Sequence, residues 1–352
     1  MKASSATRFA KRVAEFSTAS SPRPYKFHLA ASWAGKPTVE EKKPIKRVPF
    51  PADHPIGKWR DQMLTRKPGT ATEVWYPNAG EDFFFVQEML NGSGVSFGVA
   101  DGVGGWVESG VDPSLFAQAL MYHAHRYSRN AWAGEPEIDP TLDYAEREEV
   151  EGWELTPDEC MALSFGGVQR ERRVLAGSST ACILSLNASS GLLRSANLGD
   201  SGFYVIRSAA VHHKEPAQQH FFNCPLQLTK YPQQMQTKRG SSSGTDTPEK
   251  SALREISLRH GDIVVACTDG LLDNVFAEEV LRIISLVRRT GLPDSEIALP
   301  IADNLVEYSR RCMFNQRRTS PFTVEAARHG LSYRGGKVDD VTAVVCVVEE
   351  TI

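Results

Sequence analysis

The chain has 352 residues, 41% hydrophobic and 24% charged, with a net charge of −3. That is room for one large domain or two small ones with a sizeable core, and the balance excludes a strongly basic nucleic-acid binder. No apolar run approaches the ~18 residues of a membrane-spanning helix.

Residues 1–35 carry Lys2, Arg8, Lys11, Arg12, Arg23 and Lys26 against Glu15 alone, a net of +5. On a helix, Phe9, Val13 and Phe16 share one face. An amphipathic, Arg-containing, Ser-rich, acid-poor leader reads as a mitochondrial transit peptide, with a plain basic tail as the alternative. The Pro- and Lys-rich stretch that follows reads as a linker and N-terminal extension over 36–74, and a folded domain is expected over 75–352.

Within that domain, Phe83–Val86 and Val95–Ala100 read as strands joined by the turn Asn91-Gly92-Ser93-Gly94. Asp112-Pro113 opens a helix whose apolar stripe is Phe116, Leu120, Ala124 and Tyr127. His123 and His125 on that helix read as surface residues. Thr156-Pro157-Asp158-Glu159 has the form of a capping box and starts a second helix toward Arg173. Strands follow at Thr180–Leu186, Leu192–Leu198 and Phe203–Ile206. Residues 231–250 are polar and read as an exposed flexible loop. Strands resume at Ala252–Leu258 and Asp262–Cys267. Helices are expected at Ala277–Arg289 and Ser295–Cys312, and Val341–Val348 is the closing strand. Strands and helices arrive in blocks, which favours α+β layers over a doubly wound sheet.

The six cysteines form no Cys-x-x-Cys pair and read as free thiols. No phosphate loop, Rossmann fingerprint or Gly-x-Ser-x-Gly elbow is present. Four acidic turns stand out instead. Gly80-Glu81-Asp82, Ala100-Asp101-Gly102, Thr268-Asp269-Gly270 and Val338-Asp339-Asp340 each read as the end of an apolar run, a buried strand that delivers a carboxylate to its C-terminal end beside a tight turn. Four such turns spread along the chain point to one carboxylate cluster, and clustered carboxylates suit a hard cation such as Mg²⁺, Mn²⁺ or Ca²⁺.

Those turns, together with Gly177-Ser178-Ser179-Thr180-Ala181 and Ala196-Asn197-Leu198-Gly199-Asp200-Ser201, occur in an order that resembles the type 2C (PPM) metal-dependent protein phosphatases. Gly104-Gly105-Trp106, Gln218–Asn223 and Arg334-Gly335-Gly336-Lys337 resemble the mitochondrial branch of that family. The resemblance implies a four-layer α-β-β-α sandwich of two antiparallel sheets flanked by helices. It implies two Mg²⁺ or Mn²⁺ per active site, with Asp101 bridging them, Gly102 lending its carbonyl, and Asp269 and Asp339 completing one shell. Glu81 and Asp82 would hold metal-bound waters. The implied activity is hydrolysis of phosphoserine and phosphothreonine on mitochondrial matrix proteins by a metal-activated water, in support of ubiquinone biosynthesis. Phosphoprotein substrates are the implied partners, with no nucleic acid and no transmembrane span. Two departures stand against the wider family: Val103 replaces a histidine, and Pro77 an arginine that grips phosphate. They motivate an alternative, a catalytically weak pseudophosphatase that binds phosphoproteins or acts as a scaffold.

Overall fold

The computed structural model of the chain describes residues 23–37, 48–65, 77–134, 153–232 and 246–351. In chain order the elements begin with β1 (Tyr25–Ala34), α1 (Pro55–Met63), β2 (Asp82–Glu88), β3 (Gly94–Asp101), α2 (Ser114–Arg129) and α3 (Pro157–Arg170). Then come β4 (Gly177–Ser179), β5 (Ala181–Asn187), β6 (Leu192–Leu198), β7 (Gly202–Arg207), β8 (Ala210–Lys214), β9 (Gln219–Phe221), β10 (Cys224–Pro225) and β11 (Leu228–Lys230). The last block is β12 (Ala252–Ser257), β13 (Ile263–Cys267), the single turn α4 (Asp269–Leu272), α5 (Ala277–Arg288), α6 (Asp294–Met313), α7 (Pro321–Arg328) and β14 (Val341–Glu350).

Two five-stranded antiparallel sheets carry the core, one in the order β1-β14-β13-β7-β8 and the other β12-β6-β5-β3-β2. Successive side chains of a strand point to opposite faces. In β2, Phe84 therefore turns toward the other sheet while Phe83 and Phe85 turn toward α2 and α3, and all three are buried. In β14, Val344, Cys346 and Val348 face the other sheet, and Val345 and Val347 face α5 and α6. Sheets covered on both faces read in sequence as unbroken apolar runs. The expected α-β-β-α sandwich is the observed one, and all six cysteines are free.

The boundary expected at residue 75 is corrected. β1 lies in the segment read as a leader, and it pairs along its whole length with β14, from Tyr25↔Glu350 to Ala34↔Val341. Trp33 is buried and stacks on Phe84 with ring centroids 5.1 Å apart. The 36–74 linker is corrected in part as well: its α1 buries Trp59 against Phe83 and Tyr122. Residues 1–22, which hold most of the leader, lie outside the described residues.

Smaller corrections follow the same physics. The second helix stops at Arg170, short of Arg173. The 231–250 loop is shorter than expected at its C-terminal end: Asp246 is buried and accepts from Lys250, His220 and the Gln227 amide, while 233–245 lie outside the described residues. His123 is buried, with its ring against Gly167. Burial foremost, then Arg126, lowers its pKa to about 4.

Candidate metal centre

Antiparallel pairing brings the acidic turns to one end of the sandwich. Asp82 at the start of β2 and Asp101 at the end of β3 are direct cross-strand partners. Cys267, at the end of β13, pairs with Ala343 near the start of β14, so Asp269 and the Asp339-Asp340 pair also fall at that end. The Thr268 hydroxyl donates to Asp82 Oδ2 at 2.8 Å and joins the two sheets there. The Glu81 amide donates to Asp340 Oδ2 at 2.9 Å, and the Gly102 amide donates to the Glu81 carbonyl at 3.1 Å. Gly102 has to be glycine: a Cβ would lie 2.7 Å from the carbonyl oxygens of both Glu81 and Pro113.

Carboxylate oxygens of Asp101, Asp200 and Asp269 lie within 4.8 Å of one another. Asp82 Oδ1 and Asp200 Oδ1 are buried and have no hydrogen-bond partner. A buried carboxylate oxygen with no donor is costly unless a cation meets it. Burial first, and Asp269 next, push the Asp101 carboxyl well above the usual range; burial and then Asp340 do so for Asp82. Burial and the neighbouring Asp269 raise Asp200 to about 8. The donor set is all oxygen, and the repulsion within it is relieved by hard divalent cations, so the residues fit Mg²⁺ or Mn²⁺.

Two lysines offset part of this charge. Lys36 Nζ lies 2.8 Å from Glu81 Oε2, 3.4 Å from Asp339 Oδ1 and 3.3 Å from Asp340 Oδ2. Lys337 Nζ contacts Asp269, and lies 2.7 Å from Asp273 Oδ2 and 3.3 Å from Asp339 Oδ2. Burial disfavours both ammonium groups, but attraction from these carboxylates outweighs it and raises both pKa values, so both lysines stay charged.

Of the residues singled out from sequence, Glu81, Asp82, Asp101, Gly102, Asp269 and Asp339 all reach this end. Asp339 stands apart from the tight trio and is drawn between the two lysines. Asp340 is buried and clips the backbone amides of Lys36 and Glu81. Pro77 is exposed, and the Val103 amide donates to the Ser178 carbonyl at 3.0 Å. Four residues of the site were missed. Asp200 follows the strand β6 at a turn, as Asp101 ends β3 and Asp269 follows β13, so that rule finds it; Asp82 and Asp339 depart from the rule, Asp82 opening β2 and Asp339 standing ahead of β14. Asp273 follows Asp269 by one helical turn. Lys337 sits two residues before Asp339. Lys36 follows β1 directly, and reading β1 as leader hid it.

No protein-family model matches the chain. "Protein phosphatase PTC7 homolog fig" of Drosophila willistoni is 36% identical over 83% of this chain and 87% of its own length. "5-azacytidine resistance protein azr1" of Schizosaccharomyces pombe is 32% identical over 78% of this chain and 83% of its own. Among solved structures, that of the photosystem II phosphatase PBCP superposes with a TM-score of 0.57 and 28% identity, covering 76% of this chain and 91% of that one. With a relative 36% identical over 83% of its length and with this fold, the chain belongs to the type 2C (PPM) family of metal-dependent protein serine/threonine phosphatases.

Proposed function

We propose that the chain dephosphorylates serine and threonine residues of mitochondrial matrix proteins at this carboxylate cluster. The observation that carries the reading is the meeting of Asp101, Asp200 and Asp269 beside two unpartnered buried oxygens. Asp101, the Gly102 carbonyl, Asp269 and Asp339 would hold the cations, and Glu81 and Asp82 would accept from ordered water around them. Held by these residues, two divalent cations would supply charge neutralisation at the phosphoryl group and activation of a water. Lys36 stands at the same mouth as a fixed cation and supplies the phosphate grip that Pro77 cannot. Val103 has no proton to give, so the leaving oxygen of a phosphoserine must draw its proton from elsewhere.

The mitochondrial assignment rests on the leader. Lys2, Arg8, Lys11 and Arg12 stand against Glu15 alone ahead of the first strand. Support of ubiquinone biosynthesis follows from the resemblance to the mitochondrial branch. Val103 favours the second reading, a phosphoprotein-binding pseudophosphatase; Lys36 removes the other reason for it.

The test is phosphate release from a phosphoserine peptide by purified protein, in excess chelator and after Mn²⁺ is restored. Turnover that vanishes in chelator and returns with Mn²⁺ supports the phosphatase reading. A folded protein that binds the peptide but never releases phosphate supports the second.

A further inference from the structure

Directly beside the turn that carries Asp101 and Gly102 lies an open cavity of about 350 Å³. Val103, Gly105, Trp106 and Ser109 form one side, and Ser178, Gln227, Thr229 and Tyr231 the other. That volume is in the range of about 300–1,000 Å³ typical of ligand sites. Val103 is the neighbour of Gly102, and an extended peptide advances about 3.3 Å per residue. A substrate with its phosphate over Asp101 therefore brings an adjacent residue to this opening.

The walls are held in place. Trp106 Nε1 donates to Ser178 Oγ at 2.7 Å, and the Ser178 hydroxyl, itself fully buried, donates to Gln227 Oε1. The Gln227 amide donates to Asp246 Oδ2 at 3.0 Å, and Asp246 is fixed by Lys250 and His220. The indole, half-buried, meets the Tyr231 ring edge-on with centroids 6.3 Å apart. An indole held from behind by its Nε1 hydrogen bond, with a second ring against it, is a preorganised contact surface.

None of the lining residues carries a charge. A charged flanking side chain would meet no opposite charge here, whereas an aliphatic one would gain contact with the rings of Trp106 and Tyr231. The Ser109 hydroxyl, the Thr229 hydroxyl oxygen and the Gln227 side-chain nitrogen offer polar atoms to a peptide backbone.

We propose that this cavity seats an uncharged aliphatic side chain next to the phosphoresidue of the substrate, with Trp106 and Tyr231 as its aromatic walls. The proposal rests on the phosphatase reading and adds a substrate preference to it. The bland alternative is that Trp106 and Ser178 only tie β11 to the metal-bearing turn, in which case every substrate suffers alike when they are changed.

The experiment measures kcat and KM for three substrates: an aryl phosphate, a phosphoserine peptide with Leu on both sides, and the same peptide with Asp on both sides. Wild type, Trp106→Ala, Trp106→Phe and Tyr231→Ala are compared at saturating Mn²⁺. The wild type should prefer the Leu-flanked peptide about tenfold in kcat/KM. Trp106→Ala and Tyr231→Ala should erase most of that preference through KM, with losses at least about fivefold greater for the Leu-flanked peptide than for aryl phosphate. Trp106→Phe keeps a ring and should keep most of the preference; with Tyr231→Ala it carries the test if Trp106→Ala fails to fold. A wild type indifferent to Leu or Asp, or variants that slow all three substrates by one factor, would overturn the proposal. Activity on aryl phosphate in those same assays would leave the phosphatase reading standing; a wild type inert toward all three would bring down both.

Discussion

Lys36 Nζ lies 2.8 Å from Glu81 Oε2, although the two residues are 45 apart in sequence. The contact sets a cation at the rim of the carboxylate cluster, held by the strand β1 that precedes it. A hydrogen bond to a charged group is worth about 1.5–3 kcal/mol, or roughly 10–100-fold. Lys36→Ala should raise KM for a phosphoserine peptide by about tenfold or more, and Lys36→Arg should retain most of the affinity. Steady-state kinetics at saturating Mn²⁺ decide it. Unchanged KM in Lys36→Ala would remove Lys36 from the phosphate grip.

Lys337 neutralises Asp269, Asp273 and Asp339 from within the protein. Taking that charge away leaves buried carboxylates facing one another, which destabilises the metal-free fold by several kcal/mol. Lys337→Met should therefore melt well below wild type in chelator, and Mn²⁺ should raise its melting temperature by more than it raises that of wild type. Equal Mn²⁺-induced shifts in the two proteins would show that Lys337 does not share its carboxylates with the cation site.

The N-terminal boundary makes its own prediction. A chain starting at Arg23 keeps β1; one starting at Lys36 loses it and bares the edge of β14. Losing Trp33 alone, stacked on Phe84, should cost about 3–5 kcal/mol. Urea unfolding of the two truncations compares them directly. Equal stability would mean that β1 is dispensable and the core begins later.

The core strands and the two long helix pairs were legible because covered sheets and amphipathic helices write continuous or periodic apolar patterns. The carboxylate turns were legible because each borders such a run. β1 was not: as an edge strand it is only half covered, and its Lys26, His28, Ser32 and alanines dilute the apolar signal into something leader-like. β8 to β11 and α7 are short, with too few residues for a period to show. Lys36 and Asp200 belong to the site through tertiary proximity, Lys36 hidden by the misread strand before it.

His123 gives the fold a sensitivity to acid. Its pKa falls from 6.5 to about 4 in the fold, so the folded state favours the neutral ring. Stability from that preference is intact above pH 6.5, is lost as pH falls toward 4, and amounts to on the order of 3 kcal/mol. Arg126 and Arg170 oppose protonation and Glu171 favours it. His123→Leu removes the titration, so urea midpoints at pH 7 and pH 4.5 should drop further for wild type than for the variant. Parallel drops would show that His123 does not titrate across this window.

Asp101 is the residue on which the cation assignment turns, because it lies within 4.8 Å of both Asp200 and Asp269 and pairs across the strands with Asp82. The most direct measurement is Mn²⁺ binding to the chelated protein, by calorimetry with parallel phosphopeptide turnover, for wild type and Asp101→Asn. The wild-type chain should bind two Mn²⁺, with turnover rising as they bind, and a folded Asp101→Asn should lose both binding and turnover. A folded Asp101→Asn that binds Mn²⁺ and turns over like wild type, or a wild type active in full chelation, would contradict the cation assignment.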